Sequence, residues 1–263
     1  MIKVALTIAG SDPSGGAGIQ ADLKTFHQFG LYGEAVVTLI TVQNTLGVSR
    51  VEILEPGLIV EQIEAVVSDI PPAAAKTGAL GNRGAVEAVA RAAAGFGFPL
   101  VVDPVMISKH GAPLLDDEAV AALRERLLPH AFVVTPNGPE AEALAGVPVT
   151  TEREAREAAK RIRDMGAENV LVKGGHFGGA VANDFLWTRD DRWIVLPGAR
   201  VDTRHTHGTG CTYSAAITAE LAKGTELVEA CAWAKRFIAT AIAGNPGLGS
   251  GSGPVNHHAA MRR

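Results

Sequence analysis

The chain opens with a strand, a glycine-rich turn and a helix, and residues 3–30 read KVALTIAGSDPSGGAGIQADLKTFHQFG. The apolar run over residues 3–8 predicts a buried strand. The amphipathic stretch over residues 18–29 predicts a helix, and Gly30 is a residue type that commonly ends helices. A strand that leads through a turn into a helix is the repeating unit of a parallel α/β sheet.

The rest of the chain repeats this alternation. We predict strands at residues 34–42, 73–77, 100–103, 132–135 and 169–173, and helices over 58–69, over 84–94, up to 128 and from 152. Strands at 182–188 and 192–196 are predicted to be antiparallel, because the turn between them is too short for a crossover. Helices from 208 and 226 follow, and residues 245–254, rich in Gly, Ser and Pro, predict a closing loop or tail. The pattern predicts one α/β domain over residues 1–263 with a mainly parallel central sheet.

The composition is that of a packed globular domain, with 47% hydrophobic and 20% charged residues among 263. A formal net charge of -4 provides no basic surface for nucleic acid. No apolar run is long enough to span a membrane, and the apolar opening is too short for a signal peptide, so we expect a cytoplasmic protein. The two cysteines, Cys211 and Cys231, are too few for a disulfide framework and lack the spacing of a zinc site.

Polar side chains follow the predicted strands at the points where the strands end. They are Asp12, Gln43, Asn44, Asp103, Asn137 and Lys173. In open α/β sheets, ligands bind outside the carboxyl ends of the strands. We therefore expect these side chains to converge on one cleft.

Residues 206–212, THGTGCT, form the strongest local motif. A Gly-Thr-Gly run that opens a helix presents free backbone N–H groups to an anion such as a phosphoryl group. The alternative is a flexible loop with an ordinary helix cap at Thr206 or Thr209.

Cys211 lies within this motif. Because a thiol pKa falls at a helix N-terminus, Cys211 is a candidate base toward a substrate hydroxyl, and the alternative is a small buried filler. A base role predicts that Cys211→Ala slows transfer to a hydroxyl more than transfer to a phosphate monoester, whose second pKa of about 6 leaves it ionised. Cys231 lies on an amphipathic stretch and is predicted to be core.

The chain carries six motifs in order: residues 9–22 (AGSDPSGGAGIQAD), 42–45 (VQNT), 102–106 (VDPVM), 135–140 (TPNGPE), 172–176 (VKGGH) and 206–212 (THGTGCT). In sequence and order they resemble the motifs of the hydroxymethylpyrimidine and hydroxymethylpyrimidine-phosphate kinases of thiamine biosynthesis. The resemblance covers the whole chain. It implies a three-layer α/β/α ribokinase-like fold.

The resemblance also implies ATP as phosphoryl donor, Mg²⁺ as bridging ion, and a homodimer. Transfer would go first to the hydroxymethyl group of the pyrimidine and then to the resulting monophosphate. Asn137 and Glu140 match an Asn-x-x-Glu element that places Mg²⁺ near the phosphates, and Asp103 would assist. Taken from the residues alone, Asn137 and Glu140 are equally an N-cap and a first-turn carboxylate.

Gln43 matches the position that reads the aminopyrimidine. Its carboxamide can donate to a ring nitrogen and accept from the exocyclic amine, although a strand-end Gln is usually just solvated. Other substrate-pocket positions match Gly10, Ala17, Asp22 and Val105. Ala79 stands where relatives often carry a larger side chain, which predicts a smaller or more polar pocket wall.

The remaining matches concern the phosphates. The anion hole and catalytic positions match Gly208, Thr209, Gly210 and Cys211. The nucleotide side matches Lys173, Thr206 and His207, and the alternative for Lys173 is a surface side chain. The loop over residues 104–115, which includes Lys109 and His110, is predicted to fold over the substrate and exclude water.

Other functions fit the sequence less well. Residues 16–21, GAGIQA, fit the dinucleotide-binding pattern, but no acidic residue ends the second strand to hold a ribose. No glycine-rich run is followed by Lys-Ser or Lys-Thr, as a P-loop requires. A zinc site at His205 and His207, or at His257 and His258, lacks acidic ligands at metal spacing, so these are predicted to be loop histidines. Pyridoxal or pyridoxine kinase activity and a non-catalytic pyrimidine-binding protein stay as alternatives.

Overall fold

A computed structural model describes residues 2–108, 111 and 113–260 as strands that alternate with helices. The strands are β1 (Val4–Ser11), β2 (Tyr32–Asn44), β3 (Gly47–Ile53), β4 (Ala74–Thr77), β5 (Leu100–Val102), β6 (Val133–Val134), β7 (Val170–Val172), β8 (Asp184–Trp187) and β9 (Trp193–Leu196). The helices are α1 (Gly18–Gln28), α2 (Pro56–Asp69), α3 (Arg83–Ala93), α4 (Asp117–Ala122), α5 (Gly138–Ala145), α6 (Glu152–Asp164), α7 (Thr209–Ala222) and α8 (Leu227–Ala243).

The strands of the described residues form one sheet in the order β3-β2-β1-β4-β5-β6-β7-β8-β9. The strands from β2 to β7 in this order pair in parallel, while β3, β8 and β9 pair antiparallel at the two edges. The predicted α/β class with a mainly parallel sheet is confirmed. Because parallel strands end on the same side, the residues that follow them share one edge of the sheet.

Alternate side chains of the central strands enter two separate cores, one on each face of the sheet. Leu6 and Val102 pack with the helices from α2 to α6, whereas Ala5 and Val101 pack with α1, α7 and α8. The sheet is therefore covered on both faces, as a parallel sheet requires. Within the described residues, no helix is long and apolar enough to cross a membrane.

Several elements differ from the sequence-based expectations. β2 extends to Asn44 and turns directly into β3, an edge strand that the prediction missed. The helix predicted to run to residue 128 is instead α4, a π-helical turn over Leu123–Leu127 and a 3₁₀ turn over Leu128–His130. Pro129 lies in that 3₁₀ turn, where its missing N–H is incompatible with continued α-helix.

The end of the chain is packed against the rest of the protein. Residues 245–254 were expected to be a closing loop or tail, but from Gly253 onward every second residue is buried, as in an extended strand. Val255 belongs to the core beside α7 and α8. His257, expected to be a loop histidine, is buried, and its Nε2 lies 3.1 Å from Oγ1 of Thr212 in α7.

Burial makes His257 a source of acid sensitivity. Desolvation lowers the pKa of His257 to about 4, whereas the unfolded chain keeps an ordinary histidine pKa of about 6.5. Between these values the unfolded chain binds more protons, so stability present above pH 6.5 is lost as the pH falls toward 4.

We expect His257→Gln to reduce the drop in unfolding free energy between pH 7 and pH 4 by up to about 3 kcal/mol. Urea unfolding at pH 7 and pH 4 measures the two unfolding free energies. The matched control is His258→Gln, at the exposed neighbouring position. An equal pH dependence in wild type and His257→Gln would contradict the expectation.

Candidate active site

The turn between β1 and α1 is organised by the carboxylate of Asp12. Its Oδ1 accepts hydrogen bonds from the backbone N–H and the hydroxyl of Ser14 at 2.9 and 2.7 Å, and its Oδ2 accepts the Ala17 N–H at 2.9 Å. Nε2 of His207 lies 2.7 Å from Oδ2. Burial opposes ionisation of Asp12, but the hydrogen bonds from His207 and Ser14 hold its pKa below the usual range. The glycine-rich turn is therefore tied to the loop that precedes α7.

This pairing also determines what Gln43 can do. Because ionised Asp12 can only accept, the Nε2–H of His207 donates to it. Gln43 Nε2 lies 3.3 Å from the same nitrogen, which then has no lone pair to accept a second bond. The carboxamide donors of Gln43 are therefore available for another partner.

The N-terminus of α7 faces the glycine-rich turn. Gly208 caps the helix with φ +78°, a left-handed conformation, and a Cβ at this position would overlap the carbonyl oxygen of Gly16. At the start of α7 the Thr209 N–H donates to the Thr206 carbonyl at 3.3 Å and the Thr212 N–H donates to the Gly208 carbonyl at 2.9 Å. The N–H groups of Gly210 and Cys211 lie between them in the first turn, where a helix offers no carbonyl partner. The predicted Gly-Thr-Gly loop is thus the start of a helix with its positive dipole end at the sheet edge.

Cys211 lies in the first turn of α7 and is partly exposed. Desolvation raises its pKa to about 12, although Lys76 and a hydrogen bond from the Gly18 N–H oppose the rise. The expectation of a depressed thiol pKa is therefore wrong, because burial and the carboxylates of Asp22 and Asp103 outweigh the helix dipole. Cys231 is fully buried, as expected for a core residue.

A buried ion pair lies beneath the cleft. Lys76 on β4 donates to Oδ1 of Asp22 at 2.8 Å, and the hydroxyl of Thr7 donates to Oδ2 at 2.6 Å. All three side chains are fully buried. Burial alone would lower the pKa of Lys76, but the Asp22 carboxylate raises it and keeps the lysine charged. Asp22, predicted to line the pocket, is instead fully buried in an ion pair with Lys76, because the lysine charge needs a partner inside the protein.

A second charged cluster lies at the ends of β5 and β7. Lys173 donates to Oδ1 of Asp103 at 2.9 Å, and the hydroxyls of Thr135 and Ser214 also donate to this carboxylate. Burial opposes ionisation of Asp103, but Lys173 and Lys76 hold its pKa below the usual range. The alternative of a surface side chain for Lys173 is wrong, because only 13% of its side chain is exposed.

Glu140 joins this cluster from the first turn of α5. It forms a capping box with Asn137, in which each backbone N–H bonds the other side chain at 2.8 and 2.9 Å. Oε2 of Glu140 lies 3.9 Å from Nζ of Lys173. Desolvation raises the pKa of Glu140 to about 7, partly offset by Lys173, and the nearby Asp103 adds to the rise. The N-cap interpretation of these two residues is correct as local structure.

The cluster has the donor chemistry that Mg²⁺ prefers. Two buried carboxylates, Asp103 and Glu140, share Lys173, which bonds the first at 2.9 Å and lies 3.9 Å from the second. Mg²⁺ typically binds one or two carboxylates and fills its other positions with phosphates and water. Within residues 2–108, 111 and 113–260, no group of three or more His, Cys, Asp or Glu side chains is placed to hold a metal ion by itself.

The remaining predicted residues lie around the same edge. Gly10 is the penultimate residue of β1, and a Cβ there would lie 3.6 Å from the Cβ of Ala79. Val105 lies two residues after Asp103. The Thr206 carbonyl accepts the Thr209 hydroxyl at 2.8 Å. His207, grouped with the nucleotide side, instead contacts Asp12 and Gln43, on the side assigned to the pyrimidine.

Sequence reasoning missed the roles of Lys76, Ser214 and His257. Lys76 follows two alanines in a strand too short to reveal which side chains are buried. Ser214 and His257 are recognisable only from their partners, which lie 111 and 45 residues away. In the loop over residues 104–115, Lys109 and His110 lie outside the described residues, and its closure over the substrate stays a prediction.

Comparisons with known proteins show the family of this chain. A sequence model of the family described as phosphomethylpyrimidine kinase matches residues 12–256. A hydroxymethylpyrimidine/phosphomethylpyrimidine kinase from Haemophilus influenzae is 49% identical over 99% of this chain and 98% of its own length.

Two solved structures are similar over most of the chain. An ADP complex of Bacillus subtilis pyridoxal kinase matches with a TM-score of 0.91 and 41% identity over 98% of both chains. A phosphomethylpyrimidine kinase from Clostridium difficile matches with a TM-score of 0.79 and 43% identity over 90% of this chain and 97% of that one. Both also support the ribokinase-like architecture predicted for this chain.

The surroundings of Cys211 predict slow thiol chemistry at neutral pH. We expect alkylation by iodoacetamide to keep accelerating beyond pH 10, because the thiol pKa is about 12. Mass spectrometry of the native protein measures the rate, and since Cys231 is fully buried the modification reports on Cys211. Cys211→Ser is the control, and a rate that levels off near pH 8 would contradict the expectation.

Proposed function

Because the chain belongs to the phosphomethylpyrimidine kinase family, we propose that it phosphorylates 4-amino-5-hydroxymethyl-2-methylpyrimidine with ATP and then phosphorylates the monophosphate. Membership makes the protein a phosphotransferase that acts in thiamine biosynthesis. The observation that carries the proposal is the arrangement of side chains along one edge of the sheet. The Gln43 carboxamide lies at one end of this edge, and the cluster of Lys173 with Asp103 lies at the other. The segment that begins α7 contacts both, through His207 and Ser214 respectively.

The pyrimidine end of the site is built around Gln43. Its carboxamide can accept from the exocyclic amine while it donates to the neighbouring ring nitrogen, and this pairing needs donors that His207 does not consume. The small residues Gly10, Ala17 and Ala79 are proposed to line the ring, and Gly10 packs closely against Leu39 and Ala79. Val105, partly exposed, offers an apolar wall.

The phosphoryl end of the site is the N-terminus of α7. We propose that the backbone N–H groups of residues 208–211 bind the oxygens of the transferred phosphoryl group, which gain charge during transfer. Lys173 offsets phosphate charge from the opposite side, since a Cβ at Gly210 would lie 3.5 Å from its Nζ. Thr206 supports the loop through its carbonyl bond to Thr209.

Asp103 and Glu140 would hold Mg²⁺, with Asn137 fixing the position of Glu140 through the capping box. Bound there, Mg²⁺ supplies positive charge that bridges the phosphates. Lys173 keeps Asp103 ionised, and therefore able to act as a ligand, at neutral pH. The donor ATP is consistent with the ADP held by the Bacillus subtilis pyridoxal kinase.

Cys211 is proposed to position the substrate hydroxyl. With a thiol pKa of about 12, the thiolate fraction at pH 7 is on the order of 10⁻⁵, which is too small for an efficient resting base. Phosphoryl transfer through a loose transition state depends mainly on positioning and charge neutralisation. The partly exposed Cys211 lies between the helix N-terminus and the Gly18 N–H, where the hydroxyl must approach phosphorus.

The alternative is a vitamin B6 kinase on the same fold. It is favoured by one observation, the TM-score of 0.91 to the Bacillus subtilis pyridoxal kinase. The identity of 49% to the Haemophilus influenzae pyrimidine kinase favours the main proposal.

A mass-resolved product assay tests the proposal. The protein is incubated with ATP, Mg²⁺ and either the hydroxymethylpyrimidine or pyridoxal, and the products are separated by mass. We expect mono- and then diphosphorylated pyrimidine. Pyridoxal phosphate as the sole product would show that the protein is a vitamin B6 kinase. The absence of product from both the pyrimidine and pyridoxal would favour a non-catalytic binding protein.

The role of Cys211 has a separate test. We expect Cys211→Ala to slow both transfers by a similar factor of about 10–100, because positioning serves each acceptor equally. Single-turnover rates measured separately with the pyrimidine and with its monophosphate check this expectation. A loss confined to the first transfer would instead restore the base role that the sequence suggested.

The proposal includes a homodimer and a cytoplasmic location, where ATP is abundant. A dimer contact would cover apolar side chains that β2 and its turn expose, namely Ile40, Val42 and Leu46, which are 48%, 55% and 66% exposed. Light scattering coupled to gel filtration is expected to give twice the 27.3 kDa chain mass. A mass of one chain across the assay concentration range would contradict the dimer.

A further inference from the structure

The segment over residues 251–257, called here the C-terminal strap, belongs to none of the motifs assigned to chemistry. It nevertheless contacts both ends of the proposed active site. The sequence predicted it only as part of a closing loop or tail, and the structure gives it specific hydrogen bonds in both directions.

The first contacts reach the turn that follows Gln43. The N–H of Ser252 donates to the carbonyl of Thr45 at 2.9 Å, and the N–H of Gly251 donates to the Thr45 hydroxyl at 3.3 Å. Thr45 lies two residues beyond Gln43 in the turn between β2 and β3. The strap therefore restrains the turn that presents the pyrimidine reader.

The second contacts reach the loop that opens α7. His207 donates its N–H to the Gly253 carbonyl at 3.0 Å and accepts the Val255 N–H at 3.2 Å, which brackets Pro254 as in a β-ladder. His257 adds its contact with Thr212 at 3.1 Å. The helix N-terminus at Gly208 thus lies between two attachment points of the strap.

Glycines allow this close approach. A Cβ at Gly251 would overlap the Thr45 carbonyl oxygen, and a Cβ at Gly253 would overlap the Leu248 carbonyl oxygen and the His205 ring. The carbonyl oxygens of Thr45 and Leu248 are backbone atoms, which cannot rotate away as a flexible side chain can. The contact distances between strap and turn therefore depend on the absence of side chains.

We propose that residues 251–257 are positioning residues that set the distance between Gln43 and the helix N-terminus at Gly208. In-line transfer requires the ring bound at Gln43 to present its hydroxyl to a phosphoryl group held by the helix, and small misplacements are costly. The strap is bonded to both sides, so it fixes their separation. This inference rests on the proposed function for its chemistry and on the hydrogen bonds alone for its geometry.

The kinetic test targets each side of the strap with a matched control. Gly251→Val pushes the strap away from Thr45 and is expected to raise KM for the pyrimidine roughly tenfold or more, with KM for ATP unchanged. Ser250→Val, at the exposed neighbouring position, should leave both constants unchanged. His257→Phe disturbs the helix side and is expected to lower kcat roughly tenfold, while the exposed control His258→Phe does not.

A merely structural role predicts a different result. It would lower the melting temperature and the folded fraction, but KM and kcat per folded molecule would stay at wild-type values, and that outcome would overturn the inference. If Gly251→Val does not fold, Ser252→Pro removes the 2.9 Å bond to Thr45 by deleting its N–H donor, and the same expectations apply.

Hydrogen exchange tests the geometry without turnover. We expect Gly251→Val to accelerate amide exchange in residues 43–46 and also in 207–212, with the middle of α8 unchanged. Acceleration confined to the strap itself would overturn the inference. If wild-type protein phosphorylates neither the pyrimidine nor pyridoxal, the proposed function fails, whereas the exchange pattern still decides whether the strap links the two sides.

Discussion

The carboxylate of Asp12 joins the two ends of the chain at the active-site edge. Its four hydrogen-bonding contacts shape the glycine-rich turn and hold His207, which lies 195 residues further along the chain. The N-terminus of α7 can lie against the glycine-rich turn only because Gly16 and Gly208 approach closely in this arrangement. Because the His207 Nε2–H donates to Asp12, this nitrogen has no lone pair for the Gln43 carboxamide, whose donors stay available for a ligand.

Charge neutralisation is the second constraint on the site. Lys76 and Lys173 are buried among Asp22, Asp103 and Glu140, and each lysine bonds one carboxylate at 2.8 or 2.9 Å. Buried charges are tolerated when they are paired and hydrogen-bonded, and removal of one partner leaves the other charge buried without compensation. Glu140 is the least compensated carboxylate of the cluster, because desolvation raises its pKa to about 7 and Lys173 offsets the rise only in part. A divalent cation at this cluster, as proposed, would add the positive charge that a single lysine does not supply to two carboxylates.

Cys211 illustrates how tertiary surroundings can reverse a local expectation. The start of a helix favours a thiolate, but the contribution of the dipole is small beside the desolvation of a thiol with carboxylates nearby. Asn137 and Glu140 illustrate the opposite case, since a local capping box and a place in the charged cluster are compatible. His257 and the strap were missed because their partners are far away in sequence and the glycines that permit them resemble those of a flexible tail.

The amino-acid sequence by itself determined the alternation of strands and helices and the mainly parallel sheet. It also predicted that one edge of this sheet carries Gln43, Asp103, Lys173 and Cys211. These follow from local patterns, because side-chain periodicity and glycine position act over a few residues, and parallel strands necessarily end together. Only the tertiary structure decided the proton states of Cys211 and Glu140, the burial of Lys76 with Asp22, and the attachment of the strap to both sides of the cleft. These depend on desolvation and on contacts between distant segments, and neither is encoded in the order of neighbouring residues.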